Sequence, residues 1–139
     1  MATKSLGTKL KMGKDEQATT VAGLKSIGGL DLSADTIDVT TLDSEDGYRE
    51  FIGGFKDAGE VPISGNFDPS TGKGQKEMYD AFESGEVQDF VIEFPASLKA
   101  KWEFKGIVIG FSTTTDLEDP LAFEGTIKVS GKPTLSVTA

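Results

Sequence analysis

Apolar and polar residues alternate with a period of two along most of this chain, and this pattern constrains its fold most strongly. In segment 121–130, apolar side chains at odd positions alternate with small or polar ones, and segments 61–67 and 90–94 repeat the pattern. Successive side chains of a β-strand point to opposite faces of its sheet, so the pattern predicts strands with one buried face. Weaker strand patterns cover residues 9–12, 19–27 and 37–40.

The segment 102–111 differs because it carries apolar residues in both phases. Trp102, Phe104 and Val108 occupy even positions, whereas Ile107, Ile109 and Phe111 occupy odd ones. A strand that is apolar on both sides is typical of the interior of a sheet covered on both faces. We therefore expect a central strand here that is buried on both faces near its end, with Trp102 in the core.

Only the segment between Ser70 and Gly85 has clear helical spacing. Its apolar residues recur at helical intervals and form one stripe: Met78, Tyr79, Ala81 and Phe82. We expect an amphipathic helix that begins with Asp68 or Ser70 as its cap and ends at Gly85. Because strands and helices do not alternate regularly, the predicted fold is mainly β. It consists of two packed antiparallel sheets, as a sandwich or partial barrel, with one flanking helix and a long extended loop.

Composition excludes several classes of function. The 139 residues are enough for one domain, spanning 1–139, and they include no cysteine and no histidine. Disulfides, thiolate nucleophiles, imidazole bases and the usual zinc ligands are therefore ruled out. The formal net charge of −9 argues against a positively charged surface that binds nucleic acid. Apolar runs are short and no signal-like segment opens the chain, so we expect a soluble protein without membrane insertion.

Short polar motifs give weak indications of chemistry. Residues 71–74, Thr-Gly-Lys-Gly, precede the predicted helix but do not match a phosphate-binding loop, so we interpret them as an ordinary loop. Asp43, Glu45 and Asp46 could provide oxygen ligands, for calcium or for a metal-dependent hydrolase, yet the spacing of an EF-hand is not met. We expect no catalytic residues, no metal and no cofactor, and hence no enzyme.

The segment 42–59 is harder to explain as an ordinary connection between strands. It spans 18 residues and contains four large apolar side chains, Tyr48, Phe51, Ile52 and Phe55. Unstructured connections longer than about 12–15 residues are uncommon in compact domains. One interpretation is a short helix, because the four positions share a helical face. The other is a β-hairpin extension, in which Gly53 and Gly54 provide the bend and the segment reaches beyond its own domain.

Charge is distributed unevenly between two parts of the chain. Residues 31–60 hold nine acids against Arg49 and Lys56, whereas the first 14 residues hold only basic charges, Lys4, Lys9, Lys11 and Lys14. Both could be solvated surfaces, or they could meet between copies of the chain. We interpret residues 1–17 as a flexible N-terminal arm, and its four lysines as a contact for an acidic surface of another copy.

Several short segments, in order and spacing, resemble the major tail tube proteins of long-tailed bacteriophages. The resemblance covers about residues 9 to 134. It rests on residues 21–27, 40–44, 51–59, 66–69, 106–108 and 126–133. It implies a structural virion protein that self-assembles into stacked hexameric rings, forming the tail tube that conducts DNA into the host.

The resemblance also implies partners and an interface. The partners are other copies of the chain, the tape-measure protein, and the tail-tip, baseplate and tail-terminator proteins, while DNA passes through the lumen without specific binding. The protein would be found in the virion tail and, during assembly, in the host cytoplasm. In that family the long loop contacts an adjacent subunit or ring, which here assigns the interface to segment 42–59: Tyr48, Arg49, Phe51, Ile52, Gly53, Gly54 and Phe55.

A second function remains open at this stage. A β-sandwich that recognises a glycan or another surface ligand would use exposed aromatic residues, and Trp102, Tyr48 and Tyr79 are candidates. It would act as a binding or adhesion module rather than as a component of a tube.

Overall fold

A computed structural model of the protein describes residues 6–13, 19–70 and 73–137. Within these ranges the chain forms strands and one α-helix, α1 (Gln75–Ser84), between the sixth and seventh strands. The strands are β1 (Lys9–Met12), β2 (Thr19–Thr20), β3 (Leu24–Ile27), β4 (Ser33–Asp38), β5 (Phe51–Asp57), β6 (Glu60–Asn66), β7 (Gln88–Glu93), β8 (Ala100–Thr114) and β9 (Ala122–Val137). The predicted mainly β fold with one helix is confirmed.

Seven strands form one sheet, in the order β2-β1-β7-β8-β9-β6-β3, and β4 pairs with β5 in a separate two-stranded sheet. Every neighbouring pair is antiparallel. The two edge strands of the large sheet, β2 and β3, are separated in sequence only by residues 21–23. Because each residue spans at most about 3.6 Å, the opposite edges must approach each other. The large sheet therefore curls into a partial barrel.

The core lies on the concave face of this curled sheet. Phe90 on β7 and Phe104 on β8 stack with ring centroids 5.7 Å apart. Phe123 on β9 is fully buried, and Met78 of α1 is buried as well. Helix α1 packs against β8, where the ring of Tyr79 meets the edge of Phe111 at 5.8 Å. The helix thus covers one part of the concave face, as its apolar stripe predicts.

Strand β8 is not buried on both faces, and this expectation was wrong. The pairing of β8 with β9 shifts between Val108 and Gly110, where a β-bulge inserts an extra residue. The bulge changes which positions face inward, so Val108 before it is buried and Phe111 after it packs on Phe123. Ile109, at the bulge, is 46% exposed. The bulge thus brings Phe111 onto the same inward face as Val108, whereas Ile107, before the bulge, lies on the opposite face and is only half-buried.

The start of α1 also differs from expectation. The helix begins at Gln75, and its N-cap is Gly74 in the left-handed region, without a side-chain cap. Asp68 instead accepts a hydrogen bond from the backbone N–H of Ser70 at 3.1 Å, in the loop before the helix. The expected end is confirmed, because Gly85 has φ 68° and its N–H donates to the carbonyl of Ala81 at 3.0 Å.

Part of the predicted N-terminal arm belongs to the folded domain. Residues 9–12 form β1, which pairs with β7 through a register that aligns Lys9 with Glu93 and Met12 with Phe90. Leu10 of this strand is fully buried, which explains why the segment cannot be a free arm. Residues 1–5 and 14–18 lie outside the described residues. In the described part of the chain, no helix is long and apolar enough to cross a membrane.

Candidate functional site: a protruding hairpin

Strands β4 and β5 form a hairpin that stands clear of the domain. Their register places Ile37 opposite Ile52 and Asp38 opposite Phe51. From residue 31 to residue 57 no residue is buried, and only Ser44 and Gly54 are even half-buried. The predicted loop 42–59 is thus the second half of a longer excursion. A hairpin is confirmed, but its second strand pairs with residues 33–38 instead of residues 42–59 folding back on themselves. The interpretation of the apolar residues as a helical face is wrong.

The tip of the hairpin is ordered by polar side chains. Thr40 Oγ1 accepts from the N–H of Glu50 at 2.7 Å, and Ser44 Oγ accepts from the N–H of Thr41 at 3.0 Å. Ser44 Oγ in turn donates to Glu50 Oε2 at 3.0 Å. A short 3₁₀ helix, Glu45–Gly47, closes the turn. These bonds give the tip a defined shape although no other described segment covers it.

The root of the hairpin is fixed to the sheet. Ala58 is buried, and its carbonyl accepts from the N–H of Asp31 at 3.2 Å, which joins the two ends of the hairpin. The carbonyl of Gly59 accepts from the N–H of Val129 in β9 at 3.1 Å. Asp57 accepts a hydrogen bond from the N–H of Gly59 and forms an ion pair with Lys128 at 3.4 Å. Both contacts, the hydrogen bond first, lower the pKa of Asp57 below its ordinary value of 3.8. The hairpin is therefore anchored at one end only.

Large apolar side chains are exposed on both faces of the hairpin. Phe55 is 91% exposed and Tyr48 is 74% exposed, while Phe51 and Ile52 are each about half exposed. Because neighbouring residues of a strand point to opposite faces, Phe51 and Ile52 lie on different sides of the ribbon. The sequence reasoning missed further exposed apolar residues, namely Leu32, Ile37, Val39 and Leu42. The alternation of Ile37 and Val39 was the signal that could have revealed them.

The two glycines of the predicted interface lie in β5 and not at the bend. The chain turns at residues 39–50, whereas Gly53 pairs with Thr36 of β4 and Gly54 follows it at a shift in register. The register shifts between Ala34 and Thr36, and a Cβ on Gly54 would lie 3.3 Å from Cβ of Asp35. Gly54 thus allows a close approach of the two strands at a bulge, since any side chain there would crowd Asp35.

Two of the five charged residues predicted to make contacts, Arg49 and Lys11, form ion pairs within the chain. Arg49 bonds Asp38 at 3.0 Å, and Lys11 on β1 bonds Glu93 at 2.6 Å. Hydrogen bonds from Thr40, followed by that from Arg49, lower the pKa of Asp38. Lys9 also lies on β1, while Lys4 and Lys14 lie outside the described residues. Lys11 thus has an ion-pair partner on its own sheet, and its contact with another copy stays a prediction.

Acidic residues dominate the hairpin but do not gather into a metal site. Residues 31–57 hold eight acids and only two bases, so most of the chain's net charge of −9 lies here. In the described ranges, no three acidic side chains come close enough together to hold a metal ion. The hairpin is therefore an acidic, apolar ribbon, which is the chemistry of a contact surface.

Comparison with known proteins assigns the family. The family model described as lambda phage tail tube protein matches residues 5–136 of this chain. The chain belongs to the lambda phage tail tube protein family. No curated protein sequence matches the chain. The resemblance deduced from the sequence is thus confirmed, and so is the structural tail tube role that it implied.

Solved structures share the tail tube fold. A chain from the virion of a native gene transfer agent particle has a TM-score of 0.79 at 22% identity, over 98% of this chain and all of that one. A chain from the tail of an empty gene transfer agent particle, solved with C6 symmetry, has a TM-score of 0.79 at 24% identity. The match covers 99% of this chain and 100% of that one. A chain of the SPP1 tail tube matches at 0.69 and 12% identity, over 97% of this chain and 80% of that one.

The family and fold are those of structural tail tube proteins and not of enzymes. The features that sequence patterns marked as alternatives do not combine into a second site. Tyr48 lies on the hairpin, Tyr79 on α1 and Trp102 on β8, where Trp102 is half-buried against the core. Within the described residues, no ring contact joins any two of these three aromatic side chains. The structure therefore adds nothing in favour of a glycan-binding module.

Proposed function

We propose that the chain forms a phage tail tube by assembling hexameric rings that stack on one another, and that the β4–β5 hairpin joins neighbouring copies. The exposure of the hairpin carries this proposal. An isolated two-stranded hairpin is only marginally stable in water, and this one presents apolar side chains on both faces. Covering these apolar side chains with another surface would stabilise such a ribbon.

The energy available from this contact is considerable. Burying a Phe or Ile side chain is worth about 1.5–3 kcal/mol before the cost of ordering the interface. Phe51, Ile52 and Phe55, with Tyr48, give each copy four such anchors. In a closed ring or a stack, every copy contributes its own hairpin, so a modest energy per contact accumulates along the tube.

Structures of related particles suggest the ring symmetry and the partners of this chain. C6 symmetry in a related particle tail supports rings of six. Related chains occur in a contractile injection system structure that includes a sheath and tube terminator, and in baseplate and cap structures. We extend this to a tail terminator, a tail tip or baseplate and a tape-measure protein as partners here. The protein then resides in the virion tail, after assembly in the host cytoplasm.

Charge supports passage of DNA without binding. A chain with 23 acids and 14 bases repels phosphates on average, whereas tight binding to DNA requires several Lys or Arg contacts. A tube built from such chains would let DNA move along its lumen without strong contacts to the wall.

The proposal predicts that Phe51→Ala combined with Phe55→Ala leaves a folded monomer that polymerises poorly. Both side chains are exposed in the single chain, so their loss removes intermolecular contacts without affecting the core. Electron microscopy of the purified protein under assembly conditions measures tube formation, and circular dichroism measures folding.

A matched control is Leu117→Ala combined with Leu121→Ala. These leucines are also exposed, but they lie in the connection between β8 and β9 and not in the hairpin. We expect tubes from this control as from the unaltered chain. Normal tubes from the phenylalanine variant, or equal loss in both variants, would show that the hairpin is not the contact.

A further inference from the structure

The curled sheet leaves an open seam where its edges approach. Strand β3 pairs with β6 on one side, and no described strand pairs with its other side. Between that free edge, residues 6–8 and residues 94–98 lies a groove of about 560 Å³. We call it the seam groove. A strand edge beside an open groove has backbone groups that an added segment can pair with.

The walls of the seam groove are mainly apolar. Leu24 and Ile27 line one side, and the other side carries Leu6, Phe94, Pro95 and Leu98. Leu98 is 45% exposed and Leu6 is 88% exposed, so these walls are incompletely covered. Among the described residues that line the groove, Lys25 is the one that carries a charge, and none is acidic. The groove thus suits an apolar segment with negative charge.

The hairpin has the complementary properties. It carries eight exposed large apolar side chains and an excess of six acidic charges over residues 31–57. Its strands, of six and seven residues, extend about 20 Å from the root, compared with a radius of gyration of roughly 14 Å for a domain of this size. None of its residues lines the seam groove of its own chain. A hairpin therefore reaches this groove only on another molecule.

We propose that the seam groove receives the β4–β5 hairpin of a second copy of this chain. The apolar anchors of the hairpin cover Leu24, Ile27 and Leu98, and Lys25 faces its acidic side chains. This inference rests on the proposed function and deepens it by naming the receiving surface. The contact is head-to-tail, because the two partners use different surfaces, and such contacts generate rings or filaments.

Disulfide cross-linking tests the contact directly, because the chain has no cysteine of its own. One variant carries Phe55→Cys and the other carries Leu98→Cys, and the two are mixed under mild oxidation. The matched control replaces the second variant with Leu135→Cys, which is similarly exposed but lies on β9. We expect the Leu98→Cys mixture to form intermolecular cross-links several-fold faster than the control mixture.

A second experiment uses variants that each retain one half of the contact. The first combines Lys25→Glu with Leu98→Asp and keeps its hairpin, and the second combines Phe51→Ala with Phe55→Ala and keeps its groove. Neither variant on its own should form tubes. Mixed, they should form one-to-one pairs without tubes, because each pair has one intact hairpin in one intact groove. Native mass spectrometry measures the pairs.

The outcomes separate this inference from the proposed function. Selective cross-links without tubes under any condition would support the groove and overturn the tube. Tubes without selective cross-links would overturn the groove and leave the tube function intact. Failure of both would overturn both. The residues 1–5 of the same chain are the alternative occupant. An internal cross-link between Ala2→Cys and Leu98→Cys, with no intermolecular product, would show that they fill the groove and would overturn the proposal.

Discussion

The side chain of Gln75 is fully buried at the first residue of α1, where it joins three segments by hydrogen bonds. Its Nε2 donates to the carbonyl of Ala22 at 2.9 Å and to that of Asn66 at 2.8 Å. Its Oε1 accepts from the N–H of Asp68 at 2.8 Å. A buried amide is tolerated here because each of its polar atoms has a partner.

We predict that Gln75→Leu lowers the free energy of unfolding by about 3 kcal/mol. Each buried polar group that loses its hydrogen-bond partner costs roughly 1–3 kcal/mol. Urea unfolding of the monomer measures the loss. Gln88→Leu, at a half-buried position on β7, is the matched control and should change stability by only about 0.5 kcal/mol. Equal losses in the two variants would mean that the hydrogen bonds of Gln75 are not what matters.

Asp57 provides a prediction about pH at the root of the hairpin. Its pKa lies below 3.8, first because the N–H of Gly59 donates to it and then because Lys128 lies nearby. Since the folded pKa is below the unfolded value, these contacts stabilise the root above the unfolded pKa. Their contribution disappears as the pH falls through the lowered pKa.

An NMR titration of the Asp57 carboxyl should therefore show a midpoint below 3.8, and Lys128→Met should move it upward. A midpoint at 3.8 in the unaltered chain would contradict the hydrogen-bonded root. The exposed pair Lys76 and Asp80 offers a comparison, because removing Lys76 should leave the Asp57 midpoint unchanged.

At the scale of the element, the hairpin is separable from the fold. Between residues 31 and 57 it buries nothing, whereas Ala58 and Gly59 hold its root to β9. We predict that replacing residues 33–57 with a short glycine-serine turn leaves the free energy of unfolding within about 1 kcal/mol, since shortening a flexible connection changes the chain entropy only slightly. Thermal unfolding followed by circular dichroism measures this. A loss of several kcal/mol would show that the hairpin supports the core.

The elements also show what the sequence could predict. The strands and α1 were predictable because apolar periodicity reports directly which face a residue presents. The bulge in β8 was not, because the register of Val108 and Gly110 against β9 depends on a partner strand that the local pattern does not specify. The turn of the hairpin was misplaced for a related reason. Two glycines predict a bend, yet both lie within β5, and Gly54 allows a close approach to Asp35 at a bulge instead.

The site was predictable only in part. The unusual number of large apolar residues after Leu42 identified the second strand of the hairpin. The first strand was harder to recognise, because Ser33–Asp38 is polar and wholly exposed. The seam groove could not be predicted at all, since its walls come from residues 6–8, β3 and residues 94–98, which only the curl of the sheet brings together.

At the scale of the whole molecule, charge and apolar surface are concentrated at one projection. The hairpin holds eight of the 23 acids and several of the largest exposed side chains, while the curled sheet encloses the core. These side chains add little to the stability of a single copy, because apolar surface contributes to stability only when it is covered. In the proposed tube every hairpin would have a partner, which would account for the division of the chain into a stable domain and a protruding ribbon.

Cryo-electron microscopy of tubes assembled from the purified protein is the decisive test of the hairpin contact. We expect the hairpin of every subunit, residues 31–57, to be buried against a neighbouring copy, with Phe51 and Phe55 inside the contact. Tubes in which these two side chains remain exposed to solvent, while other surfaces join the subunits, would contradict it.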